Sequence, residues 1–274
     1  MDDDEFEALL GAVPTLGDAK HLHSGMASEI TPDAVDWRHS NLMTRVRDQG
    51  DCAAGWAFAT ADAASASFAK EHGQLLTFSA QELIDCTHTR KFKNNACDGG
   101  SVMNVLEHWY MKRHYMTQDE NYEYTGEKGT CDFDGRNTTG IYVQDYVRLQ
   151  PDSIHQMKNW VSQQPLTVAM NASHLGFRAY SRGIFDPEHC DTTANHFALL
   201  VGYGTDKYEG DYWIVKNSWG EDWGEDGFAK IAIKDGAGVC GIQKEVIGIR
   251  AKCENEAFCG DIHFWSEDDE ETEE

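Results

Sequence analysis

The chain has 274 residues, 41% of them hydrophobic and 11% aromatic, enough to bury the core of one sizeable domain or of two closely packed lobes and to argue against disorder throughout. A formal net charge of −24 argues against general-field binding of nucleic acid or an anionic membrane, which need excess Lys and Arg, and fits a soluble acidic protein. No run of about 18 apolar residues predicts a membrane span, and Met1 is followed by acidic residues instead of the basic and apolar regions of a signal peptide.

From Glu5 to Thr31 the chain reads as a short helical piece followed by a linker, with a small contribution to the fold. Between Trp56 and Lys70 an Ala-rich run free of Gly and Pro predicts a buried helix that its neighbours approach closely. Ser79-Ala80-Gln81-Glu82 opens a second helix with a capping-box pattern, and a third covers Ser101 to Lys112. In the second half, Leu166 to Met170, His196 to Tyr203, Tyr212 to Val215 and Phe228 to Ile233 are short apolar or alternating runs between Gly and Asp, the pattern of antiparallel strands in a sheet or barrel. Helices first and strands second predict an α+β protein whose two lobes form a cleft. The tail from Ser266 to Glu274 is dominated by Asp and Glu and reads as solvated.

Eight cysteines without CxxC pairs or a zinc-spaced Cys/His cluster point to disulfides instead of a metal site, and so to an oxidising compartment. No cofactor is implied. Asn137-Thr138-Thr139 and Asn171-Ala172-Ser173 are glycosylation sequons, which agree with a secretory route.

Gln49-Gly50-Asp51-Cys52-Ala53-Ala54-Gly55-Trp56-Ala57-Phe58 sets a glutamine and a turn directly before the buried helix. A helix N-terminus collects unpaired N–H groups and positive partial charge, the environment that stabilises a thiolate or an oxyanion. This stretch resembles the papain-like cysteine peptidases, cathepsin L-like branch, whose pattern is Gln-Gly-x-Cys-Gly-Ser-Cys-Trp-Ala-Phe. Ala34-Val35-Asp36-Trp37-Arg38, Cys97-Asp98-Gly99-Gly100, Asn195-His196-Phe197-Ala198 and Asn217-Ser218-Trp219-Gly220 follow in family order, and the resemblance spans roughly Pro32 to Cys253.

The resemblance implies a papain-like two-lobe fold: a domain over 32–253, mainly helical to about residue 140 and a mainly β, antiparallel barrel lobe from about 141. Residues 1–31 would be a prosegment remnant and linker, since Met1 to Phe6 resembles the end of the family's prosegment, and 254–274 an extension with an acidic tail. By motif, Gln49 and the amide of residue 55 would donate to an oxyanion, His196 would be the acid/base, Asn217 would orient its ring and Trp219 would shield the pair. Gly99 and Gly100 would let an extended peptide pair with the backbone. The resemblance pairs Cys52 with Cys97, Cys86 with Cys131 and Cys190 with Cys240, leaving Cys253 and Cys259 as an extra pair.

The nucleophilic cysteine of the family falls on Gly55, which has no side chain for covalent attack. Ala53 and Ala54 depart from the pattern too, which fits natural loss of the thiol better than one engineered change. Phe197 stands where the family keeps a small residue beside a substrate pocket, and Glu245 matches the floor of that pocket, where an acid favours basic side chains; the two changes pull in opposite directions. Without the family pattern His196 reads as a satisfied core histidine and the glycines as ordinary turn residues. The implied function is a catalytically inactive pseudo-peptidase that binds an extended peptide or protein partner, made in the secretory pathway for a lysosome, a vacuole or the exterior. The rivals are a hydrolase with residual or partner-assisted activity, and a storage or surface protein with an unused cleft. Thiol titration of freshly isolated, denatured protein without reductant is expected to find no free cysteine; eight free thiols would refute the secretory route.

Overall fold

The computed structural model describes residues 6–7, 9–13, 31–88, 93–133 and 138–254. Helix α1, Gly55–His72, is buried along residues 55 to 69, because its alanines and serines leave the backbone open to close approach from all sides. Gly73, at φ 74°, ends it by donating its N–H to the Ala69 carbonyl. Helices α2, Ala80–Cys86, and α3, Val102–Lys112, follow. Ser79 caps α2 by accepting from the Glu82 amide at 3.0 Å, but the other half of the expected capping box does not form. The Glu82 carboxylate instead accepts from the Thr117 amide at 2.9 Å and from its hydroxyl, a tertiary partner that outcompetes the local one.

The strands are β1 (Val35–Asp36), β2 (Tyr115–Thr117), β3 (Thr138–Arg148), β4 (Leu166–Met170), β5 (Ile184–Phe185), β6 (His196–Asp206), β7 (Gly210–Lys216), β8 (Phe228–Ala232) and β9 (Glu245–Cys253), with the short helices α4 (Ile154–Val161) and α5 (Leu175–Arg178) between them. They form one sheet in the order β2-β3-β9-β4-β6-β7-β8-β5, with β1 added to β6. The antiparallel barrel lobe expected from the sequence is an unclosed sheet: among the described residues no ladder joins β2 to β5, and β5 pairs with β8 in parallel. β6 is apolar on both faces because both are covered. Phe197, Leu199 and Val201 face the core around α1, while Ala198 and Leu200 face a second core with Met157 of α4 and Phe177 of α5.

The lobes are joined through charge. Asp62 of α1, 6% exposed, accepts from Arg47 Nη2 and from Lys216 Nζ at the end of β7, each at 2.7 Å, and from Thr44 Oγ1 at 2.8 Å. Burial alone would raise the Asp62 carboxyl, but Lys216 and Arg47 outweigh it and hold it below the usual range. Disulfides join Cys52 to Cys97, Cys86 to Cys131 and Cys190 to Cys240. Cys253 is also disulfide-bonded, whereas Cys259, Asn137 and the acidic tail lie outside the described residues. No described helix is long and apolar enough to cross a membrane. Asp62→Ala would leave the buried Lys216 ammonium without an ion pair and Arg47 with Asp119 alone, and is expected to cost about 3–5 kcal/mol in urea unfolding; a loss below about 1 kcal/mol would mean that the network does not join the lobes.

Candidate active site cleft

Three stretches converge at the start of α1. The chain before the helix brings Gln49, β6 begins with His196, and the residue after β7 is Asn217. The His196 Nε2 lies 2.8 Å from Asn217 Oδ1, an oxygen that can only accept, so Nε2 carries the proton and Nδ1 keeps its lone pair. That oxygen also accepts from the Ser218 amide at 2.9 Å, which fixes the amide's orientation. Trp219 covers the imidazole with ring centroids 4.9 Å apart. Gln49 is fully buried; its Oε1 accepts from Ser218 Oγ at 2.7 Å and its Nε2 donates to the Cys52 carbonyl at 2.8 Å. The His196 ring is 1% exposed, and burial pushes it down to about 4 against the opposing pull of its Asn217 hydrogen bond.

The first helical residue, Gly55, has no side chain, and the imidazole stands where one would begin. A Cβ there would lie 2.7 Å from His196 Cε1, 2.9 Å from Nδ1 and 3.0 Å from the Phe197 carbonyl oxygen. Contacts this short are not tolerated without movement of the ring.

The segment before the linker occupies the cleft, which corrects the expectation that it contributes little. Gly100 donates its N–H to the Gly11 carbonyl at 2.8 Å, Val13 donates to the Gly100 carbonyl at 2.9 Å, and Ala12 pairs with Gly100 in parallel. Ala12 also donates to the Asn195 carbonyl at 2.8 Å, so the segment spans both walls. The second hydrogen of Gln49 Nε2 goes to the Leu9 carbonyl at 3.0 Å. Gly11 is required by proximity: a Cβ on it would lie 2.6 Å from both Ala53 Cβ and Gly99 Cα. Phe6 packs edge-on against Trp219 with 5.5 Å between centroids and lies beneath the Arg178 guanidinium. A pocket of about 440 Å³ remains open between Phe6, Leu9, Asp48, Arg178 and Trp223.

The profile described as "Papain family cysteine protease" matches residues 31–249. The chain belongs to the papain family of cysteine proteases. It is 40% identical over 203 residues to "Cathepsin L-like" of Caenorhabditis elegans, covering 73% of this chain and 59% of that protein, and 37% identical over 216 residues to "Cysteine proteinase RD21A" of Arabidopsis thaliana, covering 78% and 46%. It thus spans about half the length of these curated relatives. Among solved structures, the recombinant stem bromelain precursor superposes with a TM-score of 0.80 at 30% identity, covering 93% of this chain and 81% of that one. The digestive procathepsin L 3 of Tenebrio molitor larval midgut gives 0.79 at 31% identity, covering 91% and 79%.

Phe197 and Glu245 are both buried. They flank Ala169 across neighbouring strands and are 1% and 3% exposed, with Phe197 part of the core between the sheet and α1. Gly99, Gly100, Gln49, His196, Asn217 and Trp219 all border the occupied cleft. Asn171, the second sequon asparagine, is 8% exposed, and its Nδ2 donates to the Thr193 carbonyl at 2.8 Å. Missed altogether were Leu9 and Gly11, for which the resemblance of Phe6 to a prosegment end was the available signal, and Asp62, whose signal was one acid in an alanine-rich helix. Gly55→Ala is expected to lower stability by about 1–3 kcal/mol through the clash with His196; a variant as stable as the native chain in urea would show that the ring yields freely.

Proposed function

We propose that this chain is a papain-family pseudo-peptidase: a disulfide-linked scaffold of the secretory pathway that holds an extended peptide segment or protein partner instead of cutting it. The observation that carries this reading is the His196 ring standing where a side chain on residue 55 would have to begin. The papain-type reaction needs a thiolate there to attack the scissile carbonyl and form an acyl-enzyme. Gly55 supplies none, Ala54 offers no hydroxyl, and Cys52 is consumed in its disulfide with Cys97. Gln49, His196 and Asn217 keep the family's arrangement of oxyanion donor, base and orienting amide, so what is lost is the bond-making atom, not the frame.

The same frame accounts for a binding role. Backbone groups of Gly100 and Asn195 and the Gln49 amide hold an extended strand without reference to most of its side chains. In the chain described, that strand is its own segment, 9–13. A partner would have to displace it or bind beside it, where the pocket between Arg178 and Trp223 remains open.

The test compares hydrolysis of a mixed peptide library by the native chain, by Gly55→Cys and by His196→Ala under mild reduction that spares the disulfides. The native chain is expected to stay at background. The restored thiol should raise turnover by about a thousandfold or more once His196 swings aside, given that loss of a protease nucleophile costs about a millionfold. Native turnover abolished by His196→Ala would overturn the reading in favour of a hydrolase.

A further inference from the structure

Ser67 lies about 18 Å along α1 from Gly55, at 1.5 Å per residue, and Lys70 one turn further, far from the cleft. There α1 meets β9 and the chain leaving α4. A pocket of about 250 Å³ opens between Ser67, Lys70, Glu71, Trp160, Gln164 and Arg250.

Two of its polar groups are donors that the fold leaves unused. Ser67 is 4% exposed, and its oxygen accepts from the Ala251 amide at 3.0 Å. Thr60 and Ser65 of the same helix send their hydroxyl hydrogens back to the Trp56 and Ala61 carbonyls, but the Ser67 hydrogen has no acceptor among the described residues. Burying a donor without an acceptor is costly. Lys70 makes neither a hydrogen bond nor an ion pair among the described residues. Glu71 borders the same pocket, but consecutive helical residues do not face each other and the two form no ion pair. Burial, and then repulsion from Arg250 on β9, push the Lys70 ammonium below its usual range. The dipole of α1 accounts for one cation in its last turn, but not for a second brought alongside by another element. The carbonyls of Ala69 and Trp160, near the ends of α1 and α4, already accept from Gly73 and from the Gln163 and Gln164 amides.

We propose that this pocket binds a tetrahedral oxyanion, the sulfate or phosphate group of a monoester, with Lys70 and Arg250 as counter-ions and the Ser67 hydroxyl as a donor from its floor. Donors that arrive from α1 and from β9 at different angles match an anion with three or four oxygens, whereas a planar carboxylate offers two. The pocket is smaller than the roughly 300–1,000 Å³ of sites that enclose a whole drug-sized ligand, so it takes the charged group and leaves the carrier beside Trp160 and in solvent. The chain as a whole, with 47 acidic residues against 23 Lys and Arg, repels anions. That field excludes a polyanion and confines binding to one group held by local geometry. The site is independent of whether the cleft cuts or holds peptides.

The test titrates the full chain, disulfides intact, with inorganic sulfate, inorganic phosphate and acetate at constant ionic strength. NMR follows the Ala251 amide, which is bonded to Ser67, and the Arg250 Nε–H. Sulfate or phosphate is expected to move both signals to saturation with a Kd on the order of 1 mM or tighter. The tighter of the two identifies the carrier as a sulfate ester or a phosphate monoester. Lys70→Gln changes an exposed residue and is expected to weaken that binding about tenfold or more, and adding Arg250→Gln to abolish it. Shifts that never saturate, that acetate matches, or that persist unchanged in Lys70→Gln would overturn the site. Should Arg250→Gln disturb β9, the comparison of the native chain with Lys70→Gln decides by itself.

Discussion

The cleft depends on one buried carboxylate. Asp62 sits two helical turns beyond Gly55, Arg47 two residues before Gln49, and Lys216 one residue before Asn217. An ion pair closed among these three side chains therefore sets the relative positions of the three stretches that build the site. A charge triad this deep gains little net stability over an apolar one, because desolvation offsets most of the attraction. Its value is geometric: parting Asp62 from Lys216 would leave a buried ammonium unpaired, whereas Arg47 also reaches Asp119, so alternative packings of α1 against β7 are disfavoured. Phe58 beneath the Arg47 guanidinium and the Cys52–Cys97 bridge tie the same helix to the Gly99 wall.

Within that frame, the missing side chain at residue 55 has consequences beyond chemistry. The imidazole has only an amide oxygen for a partner and takes up the space beside the helix end. An imidazole without a counter-ion, in a site closed to water, is stable as the neutral base. The Gln49 amide is engaged as well, since it holds the Leu9 carbonyl.

The segment 9–13 fits because small residues meet there. Gly11 lies against Ala53 and Gly99, and side chains at any of these places would push the strand away from Gly100. Phe197 is enclosed between the sheet and α1, and Glu245 is buried beside Ala169. The segment is thus held in this cleft by backbone hydrogen bonds, with Phe6 packed at its Trp219 end.

Local sequence determined the long elements. Alanine density sets α1, apolar runs set β4, β6, β7 and β8, and the Ser79 side chain sets the start of α2, each through interactions within a few residues. The motifs also determined which residues would gather, because Gly55, His196 and Asn217 each sit at the end of an element whose type was legible and Gln49 lies in the turn before one of them. β3 and β9 escaped notice: their Gly, Asp, Arg and Lys residues blur the alternation that only pairing with each other resolves. The open edge at β5, the Glu82 bonds to Thr117, the burial of Asn171 and the Asp62 triad were decided by tertiary structure alone, since each depends on groups fifteen or more residues apart. The occupied cleft is the largest such case. Nothing local in Leu9-Leu10-Gly11-Ala12-Val13 distinguishes a linker from a strand; its conformation comes from backbone partners at Gly100 and Asn195, which only the folded chain brings within reach.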